Sequence, residues 1–117
     1  MKQDKVLSLL GLAMRAGKVA SGGFAVEQSI KKGAAGLVIV SDDTSAASKK
    51  HFRDMCTYRG IELCEYADKD SLGHAIGKEF RSVVSVEDPG FAESILKLLK
   101  EDLGERQGGS AIDGKDQ

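Results

Sequence analysis

The stretch Leu37-Val38-Ile39-Val40-Ser41-Asp42-Asp43, LVIVSDD, decides the fold. Its four apolar, β-favouring side chains follow one another without alternation. A strand with one wet face alternates apolar and polar residues, so an unbroken run needs cover on both faces. Ser41-Asp42-Asp43-Thr44 then supplies the short polar oxygens of a turn that caps a following helix. A central strand between two layers of helix is therefore predicted, and the flanking sequence supplies the helices.

Upstream, Val6, Leu9, Leu10 and Ala13 recur at helical spacing, so residues 3–16 read as an amphipathic helix. A short extended piece at Lys18–Ala20 leads to a second helix at 23–32, with Val26 and Ile30 four apart on its inner face. Downstream, a third helix runs from about Ser45 to Arg59 and stops at Gly60. Its inner residues read as Ala47, Phe52, Met55 and Cys56, with Lys49, Lys50 and Arg53 on a solvated face. Ile61–Tyr66 and Ser82–Val86 read as further strands, separated by a short helix that Asp68 or Asp70 caps and Gly77 ends. Asp88-Pro89 starts the last helix, since proline at the first helical position loses no needed hydrogen bond. Its buried stripe is Phe91, Ile95, Leu98 and Leu99. Helices alternating with about four short strands give an α/β fold, a three-layer α/β/α sandwich with a small mixed sheet.

The chain has 117 residues, the size of one domain with one core. Hydrophobic residues make up 41% and charged residues 30%, which excludes disordered and collagenous classes. No segment approaches the roughly 20 apolar residues that span a bilayer. The N-terminal MKQDKVLSLLGLAM carries Asp4 and runs into Arg15 instead of a small-residue cleavage site, so it reads as a helix and not a signal sequence. Cys56 and Cys64 lack CxxC spacing and sit in apolar surroundings, as buried reduced thiols of a cytoplasmic protein do. The near-neutral net charge hides an asymmetry. Residues 1–60 hold ten Lys/Arg against five Asp/Glu, and the remainder holds seven against thirteen. A basic half is compatible with a nucleic-acid face.

Several chemistries find no support. From Gly11 to Gly17 there are five intervening residues, and Val19 stands where a phosphate-binding P-loop needs Ser or Thr. Gly22-Gly23 lacks the third glycine of a dinucleotide fingerprint. His51, His74, Cys56 and Cys64 have no zinc-site spacing, and no nucleophile has a visible base. Neither catalysis, a metal nor a cofactor is expected.

The stretch Ser21–Gly33, SGGFAVEQSIKKG, is more telling. Two glycines stand where the second helix begins, free of Cβ atoms and able to accept positive φ. A helix start offers unpaired N–H groups and a partial positive charge, which suits phosphate. An ordinary N-terminal turn with Ser21 or Gly22 as cap accounts for the same residues.

Read in order, GKVASG (17–22), the helix up to Lys31-Lys32-Gly33, LVIVSDD and LGHAIG (72–77) resemble the kink-turn-binding ribosomal protein superfamily, of archaeal seven-Ae and eukaryotic thirty-e type. LLGLAMRAGKVASG and LGHAIGK are similar to its bacterial YlxQ branch. The resemblance covers residues 3 to about 100. It implies a non-catalytic RNA-binding α/β/α domain over 1–103, with 104–117 a flexible polar C-terminal tail. It implies that the glycine turn and the start of the second helix enter the groove beside a sharp RNA bend, and that a second loop, after the LGxAxG helix, covers unstacked bases. The RNA-binding residues expected on this basis are Lys18, Gly22, Gly23, Phe24, Gln28, Lys31 and Lys32 at the first site. Lys78, Phe80 and Arg81 are expected at the second. Members of the superfamily follow the glycine with an Asn-Glu pair and, three residues later, a Lys, which read the paired guanines of the kink; here these positions are Phe24, Ala25 and Gln28. Ala25 cannot accept from a base amino group, whereas binding through the phosphate backbone survives the change.

The partners that follow are structured RNA, including ribosomal RNA, and ribosome-associated proteins, for a cytoplasmic monomer with no membrane contact. Two other readings stay open: a protein-interaction module that kept the fold and lost kink-turn recognition, with Phe24 serving a partner protein, and a nucleotide-binding accessory.

Overall fold

The structure, a computed structural model, describes residues 4–106. Its elements in chain order are α1 (Lys5–Arg15), β1 (Val19–Ser21), α2 (Gly23–Lys31), β2 (Leu37–Val40), α3 (Ala46–Arg59), β3 (Glu62–Glu65), α4 (Lys69–Ala75), β4 (Val83–Val86) and α5 (Pro89–Arg106). The four strands form one mixed sheet in the order β1-β4-β2-β3. β2 and β3 are parallel, and β4 runs antiparallel to both β1 and β2.

The unbroken apolar run of β2 sits where predicted, inside the sheet between β4 and β3. Every residue of β2 and of β4 is buried. Leu37, Ile39, Val84 and Val86 meet Val6, Leu10 and Ala13 of α1, Leu72 of α4 and Ile95 and Leu99 of α5. Val38, Val40 and Val83 face the other way, onto Val26 and Ile30 of α2 and Phe52 and Cys56 of α3. These two cores make the three layers. Ser85 points into the second core, where an aliphatic side chain would serve packing better. Its hydroxyl donates to Ser29 Oγ at 2.9 Å, so neither buried oxygen is left without a partner.

Local chemistry sets the helix ends. Asp4 accepts from the Leu7 amide at 2.9 Å as the α1 cap, while its other oxygen accepts from the Tyr66 hydroxyl at 2.7 Å, tying α1 to the chain after β3. Ser45 caps α3, and Gly60 ends it in the left-handed conformation. Asp68 caps α4 through the Ser71 amide at 2.7 Å.

Three expectations need correction. Ala47 is exposed, because the face of α3 that meets the sheet is set by Phe52 and Cys56. Lys49 is largely covered and pairs with Glu65, whereas Lys50 and Arg53 stay on the exposed face as expected, beside Asp54 and Glu65. α5 continues past Gly104 to Arg106, and residues 107–117 lie outside the described residues.

Burial raises the Cys56 thiol to about 11 and also raises that of Cys64. With only about one thiol in a thousand ionised at pH 8, Cys56 is expected to resist iodoacetamide in the native protein and react fully once urea unfolds it. Rapid native labelling of Cys56, read by peptide mass spectrometry, would contradict its burial.

Candidate nucleic-acid interface

β1, β2 and β3 all end at the same edge of the sheet, so the segments that follow them meet there. The β1–α2 turn comes first. Gly22 has φ 90° and ψ 156°, a conformation that side chains rarely adopt, and no atom lies within 4 Å of where its Cβ would point. Glycine is needed at 22 for backbone freedom, and the space around it is open. At Gly23 a Cβ would make only an ordinary contact with Phe52, so nothing in the structure requires glycine there.

With glycine as N-cap, α2 has no side-chain oxygen on its first amides. The Gly22 amide itself donates to Val83 O at 3.0 Å, fixing the turn against β4. The start of α2 therefore presents donors and the positive end of its dipole to whatever enters from outside. Phe24 lies beside this opening at 78% exposure. An aromatic ring held in water at a helix start contributes nothing to the core and offers its face.

The α4–β4 loop brings the second set of residues to the same place. Arg81 Nε donates to Ser21 Oγ at 3.2 Å, and its guanidinium also donates to Phe80 O at 2.8 Å. Thus Arg81 joins the loop to the glycine turn across 60 residues of sequence. Phe80 is 62% exposed, so its ring is largely open to solvent instead of packed over β4. Lys78 is exposed on the same loop. Among the described residues, no carboxylate forms a direct ion pair with Lys78 or Arg81.

The loop holds this position because Gly73 lies beneath it. A Cβ on Gly73 would stand 1.4 Å from Glu79 O and 3.1 Å from the Arg81 amide nitrogen. Gly73 belongs to the LGHAIG segment, and its role is to let the loop fold back over α4.

The remaining expected residues are placed differently. Lys18 precedes β1, at the opposite edge of the sheet from Gly22, where its carbonyl accepts from Glu87 N at 2.8 Å. The structure does not bring it to the glycine turn. Lys31 and Lys32 lie at the far end of α2, a nine-residue helix of about 13 Å, and so do not adjoin the glycines. They share a face with the site all the same: Phe24, Gln28, Lys31 and Lys32 are exposed at helical i, i+4, i+7, i+8 spacing.

Two contributors escaped the sequence reading. The β2–α3 turn packs against the site, with the Ser41 amide donating to Ser82 O at 2.8 Å and Thr44 Oγ1 donating to it at 3.3 Å. Asp43, on this turn, accepts from the Lys69 amide at 3.1 Å. The Ser41 hydroxyl, foremost, holds the Asp43 carboxyl below its usual range, so an acceptor stands at the rim of a basic site. Lys69 is the second: its carbonyl accepts from the Arg81 amide at 3.1 Å, which sets this exposed cation beside the loop. The SDD signal was visible and read as a helix cap; nothing local marks Lys69.

Among the described residues, no three His, Cys, Asp or Glu side chains gather where a metal could sit. No helix among them is long and apolar enough to cross a membrane.

A family model described as the ribosomal protein L7Ae/L30e/S12e/Gadd45 family matches residues 4–96. The RNA-binding protein YlxQ of Bacillus subtilis is 42% identical over 91 residues, which cover 78% of this chain and 91% of that protein. A solved structure of a protein of unknown function from Bacillus halodurans superposes with a TM-score of 0.81 at 37% identity, covering 84% of this chain and 99% of the other. The 15.5kD RNA binding protein of Giardia lamblia superposes with a TM-score of 0.72 over 86% of this chain and 92% of its own, at 18% identity, a likeness of fold alone.

Proposed function

Since the chain belongs to the ribosomal protein L7Ae/L30e/S12e/Gadd45 family, we propose that it is a non-catalytic RNA-binding protein of ribosomal type, which takes a bent or looped structured RNA at the meeting of the β1–α2 turn and the α4–β4 loop. One observation carries this reading. Arg81 is fastened to Ser21 beside the uncapped start of α2, with exposed phenylalanines on both segments. The printed name of the Bacillus subtilis relative, an RNA-binding protein, supports it.

The parts divide the work by their chemistry. Phosphate meets the free amides of α2 and the Arg81 and Lys78 charges, which fix position without reading sequence. Phe24 and Phe80 stack on bases that a bend or loop has unpaired, since paired bases in an RNA helix keep their faces to themselves. Gln28 and the Asp43 carboxylate are the groups able to hydrogen-bond base edges. With Phe24 and Ala25 where an Asn-Glu pair would read paired guanines, shape and backbone dominate over base identity.

Filter-binding titration with internal-loop fragments of ribosomal RNA tests the proposal. Affinity is expected to fall about a hundredfold between 50 and 200 mM salt, as several neutralised phosphates require. Lys31→Glu with Lys32→Glu is expected to weaken binding about tenfold and flatten that dependence, if the RNA extends along α2. An affinity indifferent to salt would overturn the proposal.

A further inference from the structure

The basic side chains of α3 are partnered along most of the helix. Lys49 reaches Glu65 at 3.1 Å, Lys50 reaches Asp54 at 2.7 Å, His51 meets Glu27 at 2.8 Å and Arg53 reaches Glu65 at 3.0 Å. At the C-terminal end this pattern stops. The Arg59 guanidinium donates to the backbone carbonyls of Lys31 at 3.0 Å and Ile30 at 3.5 Å, in the last turn of α2. It also stands 5.9 Å from the centre of the Tyr58 ring. Lys31 and Lys32 are exposed, and among the described residues no carboxylate pairs directly with either lysine or with Arg59.

Tyr58 itself is 85% exposed. Folding gains almost nothing from it there. Its ring is steadied on one side by a guanidinium that two carbonyls hold in place, so the opposite face is open at little further ordering cost. Arg59 also lines a cleft of about 530 Å³, together with residues that include Ile30, Gly33, Gly60 and Ile61. An exposed aromatic ring among unpaired cations fits a polyanion that carries flat rings.

Continuity with the RNA site selects the occupant. The exposed face of α2 runs from Phe24 through Gln28 to Lys31 and Lys32, and Arg59 joins the end of that face to Tyr58. The distance is about 13 Å along the helix, room for about four nucleotides of a stacked strand. We propose that Tyr58, steadied by Arg59 and flanked by Lys31 and Lys32, is a second contact for the same RNA, a stacking platform for single-stranded nucleotides that flank the bend. This rests on the RNA-binding reading of the glycine turn and adds to it a requirement for unpaired flanking sequence.

The test uses the full chain and an internal-loop hairpin, with and without an oligouridine tail on either strand. The wild-type protein is expected to bind a tailed hairpin about tenfold more tightly than the blunt one. Tyr58→Ala is expected to erase that advantage and leave blunt-hairpin affinity unchanged, and Tyr58→Phe to restore it. Equal affinity of the wild-type protein for tailed and blunt hairpins would overturn the platform while the first site stands. So would a Tyr58→Ala loss that is the same for both. Failure of the folded wild-type protein to bind any of these hairpins would overturn the first site, and the platform with it.

Discussion

Gly73→Ala is expected to lower the melting temperature by about 10 °C and to cut RNA affinity at least about tenfold, an outsized response to one methyl group. The cause is distance. The new Cβ would sit 1.4 Å from Glu79 O and 2.6 Å from Glu79 C, both backbone atoms. Because no rotamer can relieve a clash with backbone, the α4–β4 loop must lift away. Overpacking of this kind costs roughly 1–3 kcal/mol, and each kcal/mol moves the midpoint of a domain this size by about 4–8 °C. A lifted loop also withdraws Arg81 from Ser21 and displaces Phe80 with it, so binding suffers beyond the loss in stability. Thermal melts, with amide chemical-shift changes confined to the loop and the glycine turn, check the first effect. Titration of the still-folded variant checks the second. A variant with unchanged melting and binding would show that the loop does not rest on Gly73.

The response at Gly73 also marks how far sequence alone could go. LVIV announced its double burial because burial on two faces leaves a one-dimensional trace, four apolar residues in a row. Helix limits were legible in the same local way where Asp68 and Asp88 act on amides three residues away, but the cap of α3 is Ser45 and not the Ser41–Thr44 turn that the pattern suggested. What the pattern could not carry was pairing between distant segments. Lys49 looked solvated because its partner Glu65 lies one strand later. Nothing in the pattern pairs Ser85, a polar residue in a buried strand, with Ser29, its hydrogen-bond partner 56 residues earlier. The site divides likewise. The glycine turn was visible as a local oddity, whereas the union of Arg81 with Ser21 depends on β1 and β4 lying side by side. Lys31 and Lys32 were grouped with Gly22 as one site, although the helix predicted over 23–32 already sets them about 13 Å from it.

Replacing both exposed phenylalanines, Phe24→Ala with Phe80→Ala, is expected to weaken RNA binding about a hundredfold or more while leaving the fold intact. Both side chains stand mostly in water, so truncation removes little buried area and should shift stability by no more than about 0.5 kcal/mol. Stacking on an unpaired base is worth roughly 1–3 kcal/mol by alanine substitution. Two such losses compound if the rings serve different bases, and fall short of their sum if both grip one base. Comparing the double variant with each single variant therefore reports whether one nucleotide or two are held. The salt dependence separates this contribution from the electrostatic one. Neither substitution removes a charge, so the slope of log affinity against log salt should stay where it is, while Arg81→Ala should reduce it by about one. If the double variant bound as tightly as the wild-type protein, the cations and helix amides alone would hold the RNA, and the exposed rings would have to serve some other partner. If its salt slope fell as well, the rings would be organising the charged groups instead of stacking on bases.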